Sequence, residues 1–143
     1  MTLYLDTSSL VKLYVDEAGS DSVREQVDRA TIVATSLVAY PEARAALARR
    51  RRERVLAPAA FAVAKRTLDA DWPQYLAVPV TDALARDAGQ LAERYALRGY
   101  DSVHLASFLE VARQAGVADT EFSSSDDHLN AAAGRASRAL GGK

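Results

Sequence analysis

The sequence contains no cysteine, which removes disulfides, zinc–thiolate sites and thiol nucleophiles from consideration. Histidine is scarce as well: His104 and His128 are too few for a histidine-built metal centre. No apolar run approaches the roughly 20 residues that a bilayer span needs. The opening Met1-Thr2-Leu3-Tyr4-Leu5-Asp6 lacks a basic segment ahead of an apolar stretch, so no secretory leader is expected. Cysteine-free composition fits a reducing cytosol, and the expected location is cytoplasmic, away from the membrane. Neither sign of charge is in excess, with 18 Lys and Arg against 19 Asp and Glu and a formal net charge of -1. A polyanionic partner would therefore meet a local basic patch, not an attractive field from the whole molecule. Internal repeats and linkers are also missing.

What is present is an ordinary globular composition, 143 residues with 49% hydrophobic and 26% charged, which suits one domain with one buried core. Leu3-Tyr4-Leu5 reads as a short buried strand ending at Asp6-Thr7-Ser8-Ser9, where Thr7, Ser8 or Ser9 suits a helix N-cap. A helix is expected through Leu10, Val11, Leu13 and Tyr14, and a second from Ser20 or Asp21 to about Ala30. Thr31 to Thr35 is β-branched and apolar, a second buried strand, with Ser36 as the next N-cap. The Ala- and Arg-rich stretch from Leu37 to about Arg54 favours helix, and Pro41 inside it demands a late start or a bend. Pro58 opens another helix, stopped by Trp72-Pro73. Ala77 to Val80 is a third short strand, and Pro79 places it at an edge or marks a strand end. Thr81-Asp82 caps a helix over Ala83 to Leu97 that Arg98-Gly99 ends. Tyr100-Asp101 begins a helix apolar on most sides, Thr120 to Ser123 is a weak last strand, and a short helix covers Asp126 to about Ala133. The tail, about 135–143, is expected to fray. Strands alternating with helices give an α/β fold, a central parallel sheet of about four to five short strands flanked by helices.

In open parallel sheets, ligands bind beyond the carboxyl ends of the strands. Asp6 follows the first strand and Asp126 the last. Glu42 and Asp101 fall near the starts of apolar helices, where an isolated carboxylate is costly to bury. One reading makes all four helix caps and partners of the helix dipole. The other brings them together around a divalent cation, which relieves their mutual repulsion. Mg2+ prefers hard oxygen ligands, and such an ion activates water for in-line phosphodiester hydrolysis. That chemistry needs no histidine, serine or cysteine nucleophile.

Three strings bear on the choice: Leu3-Tyr4-Leu5-Asp6-Thr7-Ser8-Ser9-Leu10-Val11-Lys12-Leu13-Tyr14, Arg98-Gly99-Tyr100-Asp101-Ser102-Val103-His104-Leu105-Ala106, and Phe122 to Ala132 around Asp126. With Glu42 in Tyr40-Pro41-Glu42-Ala43-Arg44, they resemble the PIN-domain family, and within it the VapC toxins of prokaryotic toxin–antitoxin pairs. The likeness runs from Leu3 to about Ala133. It implies a single PIN-like domain acting as a Mg2+- or Mn2+-dependent endoribonuclease. Asp6, Glu42, Asp101 and Asp126 match its acidic positions, with Ser8 and Ser124 at supporting hydroxyl positions. It further implies an RNA substrate, a homodimer, and a cognate antitoxin that covers the site. Asp127 is the alternative fourth acid; Asp126 is preferred because Leu129 and the following alanines stand at the expected distance after it. The last strand, Glu-Phe-Ser-Ser-Ser, is more polar than the family's usual pattern.

Arg49-Arg50-Arg51-Arg52 is the one basic run, either a solvated helix end or a track for RNA phosphates. His104 reads as a hydrogen-bonded structural histidine and His128 as a surface one. Tyr40, Tyr95 and Tyr100 suit either packing or base stacking. Two other functions compete: a phosphatase-like α/β enzyme with Asp6 as nucleophile, and a non-catalytic interaction module. The first would want an acid where Ser8 stands and a lysine nearby, and only Lys12 and Lys65 are internal.

Overall fold

Thr2, Leu3, Tyr4 and Leu5 are all buried, as a strand covered on both faces must be. They form β1 (Thr2–Leu5) in a computed structural model that describes residues 1–141. On one side of β1 lies β2 (Ile32–Ser36), followed by β3 (Leu76–Val78); on the other lies β4 (Thr120–Ser123). Every pairing is parallel, in the order β3-β2-β1-β4. The expected parallel α/β sheet is present, with four strands among the described residues.

Seven α-helices cover the sheet among those residues: α1 (Thr7–Val11), α2 (Ser20–Arg29), α3 (Ala39–Arg52), α4 (Pro58–Asp71), α5 (Asp82–Tyr95), α6 (Gly99–Ala115) and α7 (Asp127–Gly141). Alternation along β1 divides the core. Leu3 and Leu5 pack with α1 to α4, through residues such as Leu10, Leu47 and Leu68. Tyr4 points the other way and packs with α5 to α7, through Leu105, Phe108 and Leu129. Its ring stacks on Phe122 of β4 at 5.7 Å and meets Phe108 edge-on. The chain lays down β1, β2 and β3 outward, then crosses back to set β4 against β1. Strand order therefore reverses between β1 and β4, and the crevice at their carboxyl ends is the natural ligand position.

Helix α3 starts at Ala39, two residues later than Leu37, which is the late start that Pro41 allows. Pro41 is the third residue of the helix, where the backbone N–H has no intrahelical acceptor to lose. Ser36 accepts a hydrogen bond from the Val38 N–H at 3.3 Å and so organises the turn into α3. Three expectations are corrected. The first helix is only five residues, because Lys12, Leu13 and Tyr14 bond back three residues and tighten into turns. Helix α5 ends at Tyr95 on a left-handed Ala96, and Gly99 opens α6 instead of closing α5. The tail does not fray at 135: α7 continues through Gly141, because Ala132, Ala133 and Ala136 are buried and Leu140 packs on the same cluster. Residues 142–143 of that expected tail lie outside the described residues.

Candidate active site

Asp6 is positioned by the sheet itself, since its N–H extends the β1–β4 ladder to the Ser123 carbonyl at 3.1 Å. It is also the N-cap of α1, one of the two roles the sequence left open for it, so Thr7, Ser8 and Ser9 do not take that position. Its Oδ1 accepts from the Ser9 N–H at 3.0 Å and from the Ser8 hydroxyl at 2.6 Å. Its Oδ2 accepts from the Ser124 hydroxyl at 2.5 Å. A buried carboxylate thus has neutral donors on both oxygens, and among the described residues no basic side chain pairs with it.

Glu42 enters from the first turn of α3. The Thr7 hydroxyl donates to its Oε1 at 2.6 Å, and His104 Nε2 meets the same oxygen at 2.9 Å. A carboxylate only accepts, so Nε2 carries the proton. Nδ1 then accepts from the Tyr4 hydroxyl at 2.8 Å, tying the site to the centre of the sheet. Burial works to raise the Glu42 pKa, but the hydrogen bonds from His104 and Thr7 outweigh it and the net shift is downward. Burial holds the Tyr4 phenol well above its ordinary range, so it remains a hydrogen-bond donor.

Asp101 stands in the first turn of α6, and His104 lies three residues on, on the same side of the helix. Asp126 precedes α7 and caps it, accepting from the Leu129 N–H at 3.1 Å. Arg98 bridges this pair: its Nε donates to Asp101 Oδ2 at 3.0 Å, and its Nη2 is 3.8 Å from Asp126 Oδ2. Asp6, Glu42, Asp101 and Asp126 line one cavity of about 360 Å³, together with Thr7, Ser8, His104 and Arg98. Asp127 is exposed and does not line it.

A scan with the PIN-domain family model matches residues 3–133. The chain belongs to the PIN-domain family. Over 109 residues, 76% of this chain and 76% of each relative, it is 40% identical to ribonuclease VapC45 of Mycobacterium tuberculosis strain CDC 1551 / Oshkosh and to ribonuclease VapC49 of strain H37Rv. Among solved structures it is similar to M. tuberculosis VapC20, described as a toxin that cleaves the sarcin–ricin loop. That likeness has a TM-score of 0.63 at 20% identity, over 91% of this chain and 94% of the other, and concerns the fold.

The donor types in this PIN domain suit a hard divalent cation: carboxylate and hydroxyl oxygens, without sulfur. Among the described residues no three acidic or histidine side chains already stand as a closed metal cage. Mg2+ does not require one, because it keeps several waters and takes one or two carboxylates. The phosphatase-like alternative gains nothing, since Lys12 is paired with Glu17 at 3.1 Å and Lys65 lies over the Phe61 ring.

The arginine run is set apart from the cavity. Glu42 begins α3 and Arg49 to Arg52 end it, roughly 10–15 Å along the helix axis. Arg49 pairs with Glu53, and Arg50 holds Glu17 through three contacts of 3.1–3.2 Å. Tyr40 packs on Trp72 and Tyr95 on the core, which leaves Tyr100 as the exposed aromatic of the three. Thr7 and Arg98 were missed as site residues in the sequence. The available signal was their adjacency: Thr7 follows Asp6, and Arg98 stands three residues before Asp101.

Proposed function

We propose that this chain is the ribonuclease toxin of a type II toxin–antitoxin pair, a Mg2+- or Mn2+-dependent endoribonuclease. The observation that carries the reading is the convergence of Asp6, Glu42, Asp101 and Asp126 on one cavity at the switch point of a PIN domain. The names of the 40%-identical relatives support RNA as the substrate class. When bound, a divalent cation supplies an activated water and neutralises charge on the phosphoryl oxygens.

The protein's part is to hold oxygens in place. Asp6 and Asp101 are the principal cation ligands in this reading, with Glu42 and Asp126 completing the acidic ring. Ser8 and Ser124 fix Asp6 from both sides. Thr7 and His104 converge on Glu42 Oε1, which among the described residues leaves Oε2 without a protein donor and available to the cation or to a proton from water. The lowered pKa keeps that carboxylate ionised at neutral pH. Arg49, Arg51 and Arg52 suit phosphates of an RNA strand extending beyond the cut, whereas Arg50 serves the fold through Glu17. A cognate antitoxin and a homodimer complete the reading. An apolar cavity lined by Leu37, Val38, Tyr40, Pro41, Trp72 and Val80, with Pro41 next to Glu42 in the chain, is a surface that suits a protein partner.

The test is cleavage of a structured-RNA pool by purified protein in Mg2+, Mn2+ or EDTA, beside Asp6→Asn. The expected result is metal-dependent cleavage that falls in Asp6→Asn beyond the roughly 10- to 100-fold that loss of a supporting group costs, with the fold retained by circular dichroism. Parental cleavage by Asp6→Asn, or in EDTA, contradicts the site. No cleavage by the parent in either metal favours the non-catalytic interaction module.

A further inference from the structure

Arg98 is the one lysine or arginine that lines the acidic cavity among the described residues. It occupies the N-cap position of α6, yet its side chain makes no capping bond, so the helix does not need its guanidinium. That group is 82% exposed and rests on Asp101 Oδ2 and Asp126 Oδ2, the atoms a cation in this cavity would also seek. An ion pair so exposed is weak and exchanges readily. The guanidinium fork also matches a phosphate better than any other side chain does. Polyanionic substrate must approach four carboxylates here, and the arginine run lies at the far end of α3.

We propose that Arg98 is a phosphate-binding residue of this site which, without cation and RNA, is parked on Asp101 and Asp126. The proposal rests on the metal-nuclease reading above. If Asp101 and Asp126 held a cation, the Arg98 guanidinium would be released from both aspartates. Arg98 would then stand at the rim as a free cation for the phosphate being drawn in. It would thereby couple metal loading to substrate binding.

The experiment is calorimetric titration of the full chain and of Arg98→Gln with Mn2+, followed by cleavage kinetics of both on the same RNA pool over a range of salt. The substitution is exposed and removes no cap, and circular dichroism verifies the fold. Arg98→Gln is expected to bind Mn2+ roughly two- to fivefold more tightly, because its competitor is gone. Its KM for RNA is expected to rise, and the salt slope of binding to fall by about 0.7, one phosphate contact. Equal Mn2+ affinity in parent and variant overturns the proposal while leaving the metal site standing. Tighter Mn2+ binding with unchanged KM and salt slope overturns the phosphate role. If the parent binds no Mn2+ at all, the metal-nuclease reading itself fails.

Discussion

Asp6 shows how one side chain serves fold and site together. Its Oδ1 caps α1 while its Oδ2 takes the Ser124 hydroxyl from the end of β4, so the group that starts the helix also pins β1 to β4 at the cavity. Capping at this position does not take Asp6 out of the cavity, because Asp6 lines it as well. His104 has a similar double role. It stands between the Tyr4 hydroxyl in the core and Glu42 at the rim, and it is 2% exposed. His104→Ala would leave a buried phenol without its acceptor and remove one of two donors on Glu42. It is expected to cost about 1–3 kcal/mol of stability and to reduce RNA cleavage, read by urea denaturation and initial rates. An unchanged denaturation midpoint would contradict this account of the histidine. The four acids that line the cavity were singled out by their places after strands and at helix starts only together with the PIN-domain resemblance, since position alone does not select four of 19 acids. Thr7 and Arg98 were not, since Thr7 acquires its role from Glu42, 35 residues away, and Arg98 touches Asp126 only across the sheet's end.

Elements were legible where period and composition agreed. Helix α6 is apolar nearly all round, and it does run through the middle of the domain with Ser102, His104 to Leu109, Val111 and Ala112 buried. Helix α7 was underestimated because its second half carries no large apolar residue before Leu140. Its alanines Ala132, Ala133 and Ala136 are instead buried in the core cluster that Leu140 packs against. The junction of α5 and α6 was misread because glycine is the usual left-handed cap, yet here Ala96 takes that conformation at φ 53°. His128 Nε2 donates to the Tyr95 and Ala96 carbonyls at 3.0 and 3.1 Å, which helps hold the cap. An alanine in left-handed backbone carries steric cost that glycine lacks. Ala96→Gly is expected to stabilise the protein by about 0.5–1 kcal/mol, after allowing for glycine's greater freedom when unfolded, and to raise the urea midpoint. A lowered midpoint would show that the junction is not strained.

At the scale of the molecule, topology does what bulk charge does not. A net charge of -1 draws no polyanion from a distance, so an RNA strand would have to be met by local groups, of which Arg98 at the cavity and the arginines at the end of α3 are the ones proposed above. Among the described residues no helix is long and apolar enough to cross a membrane. The return of the chain from β3 at one edge to β4 beside β1 gathers acids from four separate segments: the ends of β1 and β4 and the starts of α3 and α6. That convergence is the central claim, and one measurement tests it most directly. Crystals of the protein soaked in Mn2+ are examined by anomalous diffraction at the manganese edge. The account predicts a peak in the cavity within about 2.0–2.4 Å of a carboxylate oxygen of Asp6 and of at least one other of the four acids. A cavity without a peak, at a Mn2+ concentration that supports full RNA cleavage, would contradict it.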